Sequence, residues 1–313
     1  MDKKISPVRI LLGGSPCTYW SISQHPSKRE TICSGQGWEL FLNYVIAKEK
    51  FKPDFFIYEN NESISKTIQN EIEHQLEVEL LHINSASFSA QSRKRIYGTN
   101  IQVPFIPDTN SLTVRDIIDN SYIGEDLSLE TNFLTNPKTN TLSHRIGTIG
   151  KGGQGERVYS INGKSVTLSA NGGGRGAKTG LYLIHDRVRK LNVLEAERLQ
   201  TLPDDYTKYG KDGIIKEISN TARYKCIGNG WTAEVICYLL SFMNISKDTQ
   251  IEVLSLYDGI ATGLYCLKHL GYKNIIYKAY EIDKVPKSIA LYNHPDIIQF
   301  NDAFDIRKEE WSY

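Results

Sequence analysis

Hydrophobic positions cluster in short runs near both ends of the chain. Between residues 8 and 100 the runs VRILLGG, DFFIYEN, LLHINSASF and RKRIYGTN read as strands, and a helical pattern covers residues 38–49. The same alternation returns after residue 251. IEVLSLYDG predicts a strand ending in a turn, ATGLYCLKHLG a helix closed by Gly271, NIIYKAYEID a strand ending in acids, and VPKSIALYNH a second helix. Alternating strands and helices predict an α/β architecture in which both blocks are halves of one sheet. The middle, residues 101–225, differs. Its turns GKGGQG, INGK and NGGGRGAKTG separate the strand-like runs RVYSI, SVTLSA and GLYLI, which predicts a smaller domain of short strands and loops. No fixed-period repeat and no low-complexity tract interrupts this plan.

With 313 residues and 40% hydrophobic content, the chain is long enough for one large domain and a smaller one. No run of about 18 apolar residues and no signal-peptide pattern is present, so the expected place is the cytoplasm, without a membrane partner. The five cysteines (Cys17, Cys33, Cys226, Cys237, Cys266) form no CxxC pair, so neither a disulfide framework nor a metal site is expected. Net charge is +1, but it is unevenly distributed. Between Lys138 and Lys190 ten Lys/Arg face two acids, which is +8, and the remainder carries 27 basic against 34 acidic residues, which is −7. A basic segment on an acidic body points to a phosphate-bearing partner. A solvated basic loop is the plainer alternative.

Two strand ends carry candidate chemistry. In SLYDGIATG, residues 255–263, a strand enters a Gly-bearing turn and then a helix, so backbone amides face the turn. The next strand ends at Glu281 and Asp283, where an acid can bind ribose hydroxyls. A nucleoside-containing cofactor is implied, although the GxGxxG spacing is missing. Gly163, Lys164 and Ser165 imitate the end of a P-loop, but Val158 stands where its first glycine belongs, and that reading fails. At the other end, VRILLGG leads into Ser15, Pro16 and Cys17, which places a thiol at the carboxyl edge of the sheet. Strands ending in Glu59 and beginning near Arg93 and Arg95 can bring an acid and cationic donors to that edge.

These motifs, taken in order, resemble the DNA cytosine-5 methyltransferases: GGSPC, YENN, QSRKR, RKLNVLEAERLQTLPDDY and CIGNGWTAEVI, with SLYDGIATGLYCLKHLG and YEID resembling that family's cofactor motifs. The wording is closest to the eukaryotic de novo branch and its bacterial and phage relatives. The resemblance covers nearly the whole chain outside the middle segment, but the cofactor half follows the nucleophile half, so it implies a circular permutation. The implied fold is a Rossmann-like methyltransferase: a mixed, mostly parallel sheet with helices on both faces and a β-rich target-recognition domain. Residues 1–100 and 226–313 would form the catalytic domain and 101–225 the recognition domain.

By resemblance Cys17 is the nucleophile, Glu59 contacts the ring nitrogen and exocyclic amine of cytosine, and Arg93 and Arg95 hold the base. The implied cofactor is S-adenosylmethionine, bound by Tyr257, Asp258, Gly259, Thr262, Gly263, Glu281, Ile282, Asn229 and Trp231. Asp302, with Asp305 as the alternative, would meet the adenine amine. Helix 192–200 with Arg198 would organise the domain junction. Asn61 departs from the hydrophobic residue common after Glu-Asn, and Trp38 stands where the de novo branch carries arginine. In the +8 segment Arg157, Lys164, Arg175 and Lys178 are candidates to contact double-stranded DNA. The reaction needs no metal, and the target base would be flipped out. Alternatives are an RNA cytosine methyltransferase, an inactive DNA-binding accessory protein on the same scaffold, and a half-enzyme needing a partner chain. The oligomeric state and the target sequence are not legible, and a bacterial or phage modification enzyme is the expected setting.

Overall fold

Strand-like runs from opposite ends of the chain lie side by side. In chain order the elements begin with strand β1 (Val8–Gly13), helix α1 (Gln36–Phe51), β2 (Phe55–Asn61), α2 (Lys66–Leu76), β3 (Leu81–Asn84) and β4 (Lys94–Thr99). The middle holds β5 (Asn132–Phe133), β6 (Arg145–Thr148), β7 (Arg157–Ser160), β8 (Leu181–Ile184), β9 (Arg187–Lys190), α3 (Val193–Leu199), β10 (Tyr209–Asp212), β11 (Ile214–Glu217), α4 (Asn220–Asn229) and α5 (Ala233–Ser241). Then come β12 (Ile251–Leu256), α6 (Thr262–His269), β13 (Ile275–Tyr280), α7 (Lys284–Asn293) and β14 (Ile298–Phe300). The computed structural model describes residues 6–21, 25–170 and 174–309; the start of the Gly-rich turn NGGGRG, residues 171–173, lies outside them.

The chain forms two units, one of residues 1–83, 94–105 and 236–313, the other of residues 84–93 and 106–235. This division differs from the boundaries expected at 101 and 225, because 84–93 and 226–235 fall in the second unit. The reason is hydrogen bonding: Ser165 N donates to Ala90 O at 2.7 Å, and the Gln91 amide donates to Leu199 O at 3.2 Å.

In the first unit a seven-stranded sheet has the order β14-β13-β12-β1-β2-β4-β3. β1 pairs in parallel with β12, from Val8 opposite Ile251 to Gly13 opposite Leu256, and also with β2. β2 and β4 are antiparallel. From β12 the chain moves outward through α6 to β13 and through α7 to β14; from β1 it moves the other way through α1 to β2. The switch point therefore falls between β12 and β1, where open α/β sheets bind ligands.

Helix α1 shapes the ground behind that point. The Glu30 carboxylate accepts from Gly37 N at 3.0 Å at its start. Gly37 is required there, since a Cβ would lie 2.5 Å from Trp20 Nε1. The buried face of α1 presents Trp38, Phe41, Tyr44 and Val45 to a core shared with Leu11, Phe56 and Tyr58. Each such side chain contributes about 1.5–3 kcal/mol by leaving water. Trp38, unexplained by the sequence, is a core residue, with ring centroids 6.5 Å from Trp20 and 4.9 Å from Phe41.

In the second unit a five-stranded sheet runs β5-β6-β7-β8-β9, with β7 and β8 parallel. Tyr159, Tyr182, Leu191, Ala196, Leu199 and Ile227 share one core cluster. The expected strand SVTLSA does not form. Its backbone serves residues 91–93 instead, with Leu168 N donating to Gln91 Oε1 at 2.9 Å. Helix α3 begins with a capping box between Asn192 and Glu195, and Arg198 makes its internal ion pair with Asp204 at 2.6 Å.

Candidate active site

β1 reaches the carboxyl edge of the sheet without side chains. A Cβ at Gly13 would lie 2.8 Å from Leu256 O, and one at Gly14 would lie 2.7 Å from Glu59 O and 3.1 Å from Glu59 Oε2. Contacts below 3.0 Å with backbone are forbidden to any larger residue, so the glycines let β1 pass close between β12 and β2. The Glu59 carboxylate lies against this stretch, three residues before Cys17. Pro16 then turns the chain, and Cys17 opens a short 3-10 turn (Cys17–Tyr19) whose first carbonyl accepts from Trp20 N and Ser21 N at 3.1 and 2.9 Å. Cys17 is half-buried, and none of the five cysteines is bridged to another.

Asn60, which sequence reasoning missed, holds this turn from below. Its amide nitrogen donates to Ser15 O at 3.1 Å, Ser15 Oγ at 3.2 Å and Tyr58 OH at 2.9 Å, and its Oδ1 accepts from Asn61 N at 2.8 Å. Ser15 Oγ and Tyr58 OH are 2.8 Å apart. Burial raises the Tyr58 phenol well above its usual range, so it stays protonated. The signal was available: alternation along β2 turns Tyr58 and Asn60 to the buried face, where a polar side chain requires a partner.

On the other face of β2, Glu59 Oε1 lies 2.9 Å from Arg95 Nε, with both side chains largely shielded from solvent. Arg95 Nη1 also donates to Asn61 Oδ1 at 3.2 Å and to Lys94 O at 2.7 Å. The expected arginine pair does not form. Arg93 precedes β4 and belongs to the second unit, where its buried guanidinium donates to the carbonyls of Leu168, Gly228 and Gly230 at 3.2, 3.1 and 2.9 Å. It is a clamp on the loop before Trp231, which corrects its expected role on the base.

The turn after β12 is open where a ligand needs it. Tyr257, Gly259 and Ala261 all have positive φ (59°, 63° and 62°), and nothing lies within 4 Å of a Cβ placed on Gly259. Tyr257 OH donates to Leu40 O at 2.7 Å and accepts from Asn43 Nδ2 at 3.2 Å, so its side chain anchors the turn to α1. Thr262 and Gly263 are buried in the first turn of α6. Asp258 Oδ1 accepts from Ser255 Oγ at 2.7 Å and Tyr277 OH at 2.6 Å, whereas its Oδ2 is buried without a partner. Burial pushes this carboxyl up to about 6. Glu281 accepts from Gly259 N at 2.8 Å and Asp283 N at 2.7 Å, and burial raises its pKa too. Beside it Ile282 is 68% exposed, an apolar platform at a polar edge. An open glycine, an orphaned carboxylate oxygen, a held acid and a bare isoleucine fit a nucleoside with a charged tail. Asp302 caps the following turn through Phe304 N at 2.9 Å, while Asp305 lies 3.7 Å from the exposed Lys308.

Asn229 and Trp231 lie in the second unit, Asn229 exposed at the end of α4 and Trp231 half-buried. Gly228 before them packs on residue 170, where a Cβ would meet Ala170 N at 2.5 Å. Among the expected DNA contacts, Arg175 is exposed and pairs with Glu130 at 2.6 Å. Lys178 lies 3.4 Å from Thr221 O and 5.9 Å from the Tyr224 ring centroid. Lys164 must be withdrawn: it is 4% exposed, and its ammonium is held by Ser89 O at 2.9 Å and by Asn110 Oδ1. Arg189 is likewise internal, paired with Glu195 at 2.8 Å. The rest of the basic excess stands without these two.

Among the described residues no cluster of three or more His, Cys, Asp or Glu could hold a metal ion, and no helix is long and apolar enough to cross a membrane. A family model described as C-5 cytosine-specific DNA methylase matches residues 1–243. The chain is 31% identical over 268 residues to the type II methyltransferase M.HhaI of Haemophilus parahaemolyticus, covering 76% of each. It is 26% identical over 257 residues to the type II methyltransferase M.Bsp6I of Bacillus sp. (strain RFL6), covering 72% of this chain and 76% of that one. A shorter match, 32% over 104 residues, links 33% of the chain to 16% of the DNA (cytosine-5)-methyltransferase DRM1 of Arabidopsis thaliana.

Proposed function

The chain belongs to the C-5 cytosine-specific DNA methylase family, and we propose that it methylates carbon 5 of a flipped-out cytosine in duplex DNA through a covalent Cys17 adduct. The observation that carries this reading is the surrounding of Cys17: a turn held by Asn60, with Glu59 against Gly14 and paired to Arg95.

Carbon 5 of cytosine is a weak nucleophile until the ring is made an enamine. The Cys17 thiolate adds to carbon 6, and the electron pair of the 5,6 double bond becomes available at carbon 5. Glu59, in its carboxylic acid form, gives its proton to the ring nitrogen and accepts from the exocyclic amine, so the charge displaced into the ring is neutralised there, and the proton returns to Glu59 when the thiolate leaves. Arg95, fixed by Glu59 and Asn61, holds the base and keeps the carboxylate oriented. S-adenosylmethionine supplies an electrophilic methyl on a sulfonium that leaves as a neutral thioether. After transfer the proton on carbon 5 passes to water, the electron pair of that C–H bond re-forms the 5,6 double bond, and the C6–S bond breaks so that Cys17 departs as thiolate.

Residues that fit the cofactor are the 257–263 turn, Glu281 for the ribose, Ile282 under the adenine and Asp302 at the adenine amine; Asn229 and Trp231 remain candidates for its methionine side by resemblance alone. Arg157, Arg175 and Lys178 are the candidates for DNA. A circularly permuted order is supported by two facts together. The family match ends at residue 243, yet β12, which follows it, is the parallel neighbour of the nucleophile strand β1.

Trapping tests the mechanism. Incubation with S-adenosylmethionine and a duplex carrying 5-fluorocytosine at the target should leave a stable protein–DNA adduct, because no proton can leave carbon 5. Cys17→Ser should abolish both adduct and methyl transfer while cofactor binding persists. Full transfer by Cys17→Ser would overturn the nucleophile assignment, and an adduct on RNA alone would overturn the DNA substrate.

A further inference from the structure

Within the second unit a cavity of about 280 Å³ is lined by Ser92, Ser143, Gln154, Arg157, Tyr159 and Thr167 among others, with no carboxylate in its wall. Two features set it apart from a surface dimple. Its backbone wall is built by close approach: a Cβ at Gly176 would lie 2.7 Å from Gly155 O, and one at Gly180, where φ is +80°, would lie 2.9 Å from Val166 Cγ2. These glycines bring the Gly155 loop and the Gly176 loop together. The second feature is an unspent cation. Arg157 Nε is buried without an acceptor, and so is Nε of Arg145, which stands on the neighbouring strand opposite Tyr159. Elsewhere in this unit arginines are committed: Arg175 to Glu130, Arg189 to Glu195, and Arg223 to Glu197.

The donors left over match one ligand chemistry. Ser92 Oγ accepts from Asn84 Nδ2 at 3.3 Å, which leaves its own proton to give. Ser143 and Thr167 already donate to Ser165 O and Ser92 O at 3.3 and 2.8 Å, so they line the cavity without supplying its donors. Arg157, Gln154 and Ser92 therefore line the cavity as donors, and none of its lining residues is an acid. A tetrahedral oxyanion accepts from such a set. We propose that this cavity grips one phosphodiester of the DNA backbone, with Arg157 as its charged donor. The inference rests on the DNA-methylating function above and adds to it the residue that positions the duplex without reading its sequence.

The test separates a phosphate contact from a base contact. Duplex affinity of the full chain is measured by fluorescence anisotropy across a salt series for wild type, Arg157→Gln and Arg157→Lys. Arg157→Gln should weaken binding roughly tenfold at moderate salt. Its plot of log affinity against log salt should be flatter by about 0.9, the slope of one lost phosphate. Arg157→Lys should restore the slope, because a phosphate accepts a point charge. The order of preference among duplex sequences should not move. A slope unchanged in Arg157→Gln, or a changed sequence preference with the slope intact, would overturn the proposal. Methylphosphonate scanning of the duplex needs no variant. One position should weaken wild-type binding to the level of Arg157→Gln and weaken that variant no further, and additive losses at every position would overturn the contact. Wild-type methyl transfer is followed in parallel. Transfer with an unchanged slope in Arg157→Gln removes the cavity alone, whereas wild type that neither binds nor methylates duplex removes the function beneath it.

Discussion

Asn60 gives the sharpest test of how Cys17, the proposed nucleophile, is held. Its amide has two protons, shared among Ser15 O, Ser15 Oγ and Tyr58 OH, and its oxygen accepts from Asn61 N. The residue is 1% exposed, so water cannot replace these partners. Asn60→Ala removes about three net hydrogen bonds at about 1 kcal/mol each, a loss of about 3 kcal/mol. For a domain of this class that corresponds to a drop in Tm of roughly 6–12 °C, read by calorimetry. The functional effect has a separate source. Ser15 O is the last carbonyl before Pro16, and freeing it lets the turn that carries Cys17 drift. A displacement of about 1 Å in a nucleophile costs about a hundredfold in rate, so kcat for methyl transfer should fall by about that factor. Binding of S-adenosylmethionine, measured by titration calorimetry, should stay within about twofold, because Asn60 makes none of the bonds that shape the 257–263 turn. A normal kcat in a protein that has lost the stability would refute the reasoning, since the turn would then be held by Pro16 alone.

Other outcomes follow from the same geometry. Glu59→Gln keeps the shape but loses the charge paired with Arg95 at 2.9 Å, and methyl transfer should drop by about 10²–10⁴-fold with cofactor affinity unchanged. Asn61→Val removes the Arg95 Nη1 bond at 3.2 Å; steady-state kinetics should show kcat/KM for DNA lowered by roughly tenfold and Tm nearly constant. Asp258, raised from 3.8 to about 6, favours the protonated form in the folded state. Its contribution to stability is therefore full below about pH 4 and lost as pH rises through about 6. The loss is at most about 3 kcal/mol, the free-energy equivalent of moving the pKa from 3.8 to about 6. Asp258→Asn should flatten that pH dependence in denaturant melts and leave the apoprotein more stable at pH 7, and an unaltered pH profile would sink the assignment. Gly228→Ala, which puts a Cβ 2.5 Å from Ala170 N, should destabilise the second unit by more than about 1 kcal/mol in the same melts.

The placement of Cys17, Glu59 and Arg95 near the carboxyl edge of β1 and β2 was legible, because the runs that carry them read as strands whose ends point there. The parallel pairing of β1 with β12 was legible for a similar reason, as both runs are apolar and both end in a turn. Arg93 was not. In QSRKR the two arginines read as equivalents two positions apart, and only the start of β4 at Lys94 separates them. The carbonyls that take up Arg93 belong to Leu168, Gly228 and Gly230, 75 to 137 positions away, and no local pattern announces them. Lys164 failed in the same way. A lysine in a Gly-Lys-Ser turn reads as exposed, but Ser89 O and Asn110 close over it. Nonlocal backbone carbonyls are the common cause, because every residue has one and sequence does not say which is left over.

The permuted order proposed above raises the question of what ties the turn after β14 to the β1 side of the sheet. The turn after β14 carries Asp302 and is bound to α1, the helix that follows the nucleophile strand. Lys50 Nζ donates to the carbonyls of Ile306, Arg307 and Glu309 at 3.1, 2.9 and 2.9 Å. Arg307 donates in return to Asn43 Oδ1 at 2.5 Å and to the Glu39 carboxylate at 2.8 Å, while Ala303 and Ile306 enter the core that holds Phe41. Partly exposed charged hydrogen bonds of this kind contribute up to about 1 kcal/mol each. Together these bonds tie the turn after β14 to α1 without a covalent join. Asn43 also donates to Tyr257 OH, so the same helix that secures the turn after β14 fixes the turn after β12. The turn after β12 and the turn after β14 are thus both tied to one face of α1, and this coupling does not depend on the order in which the chain visits them.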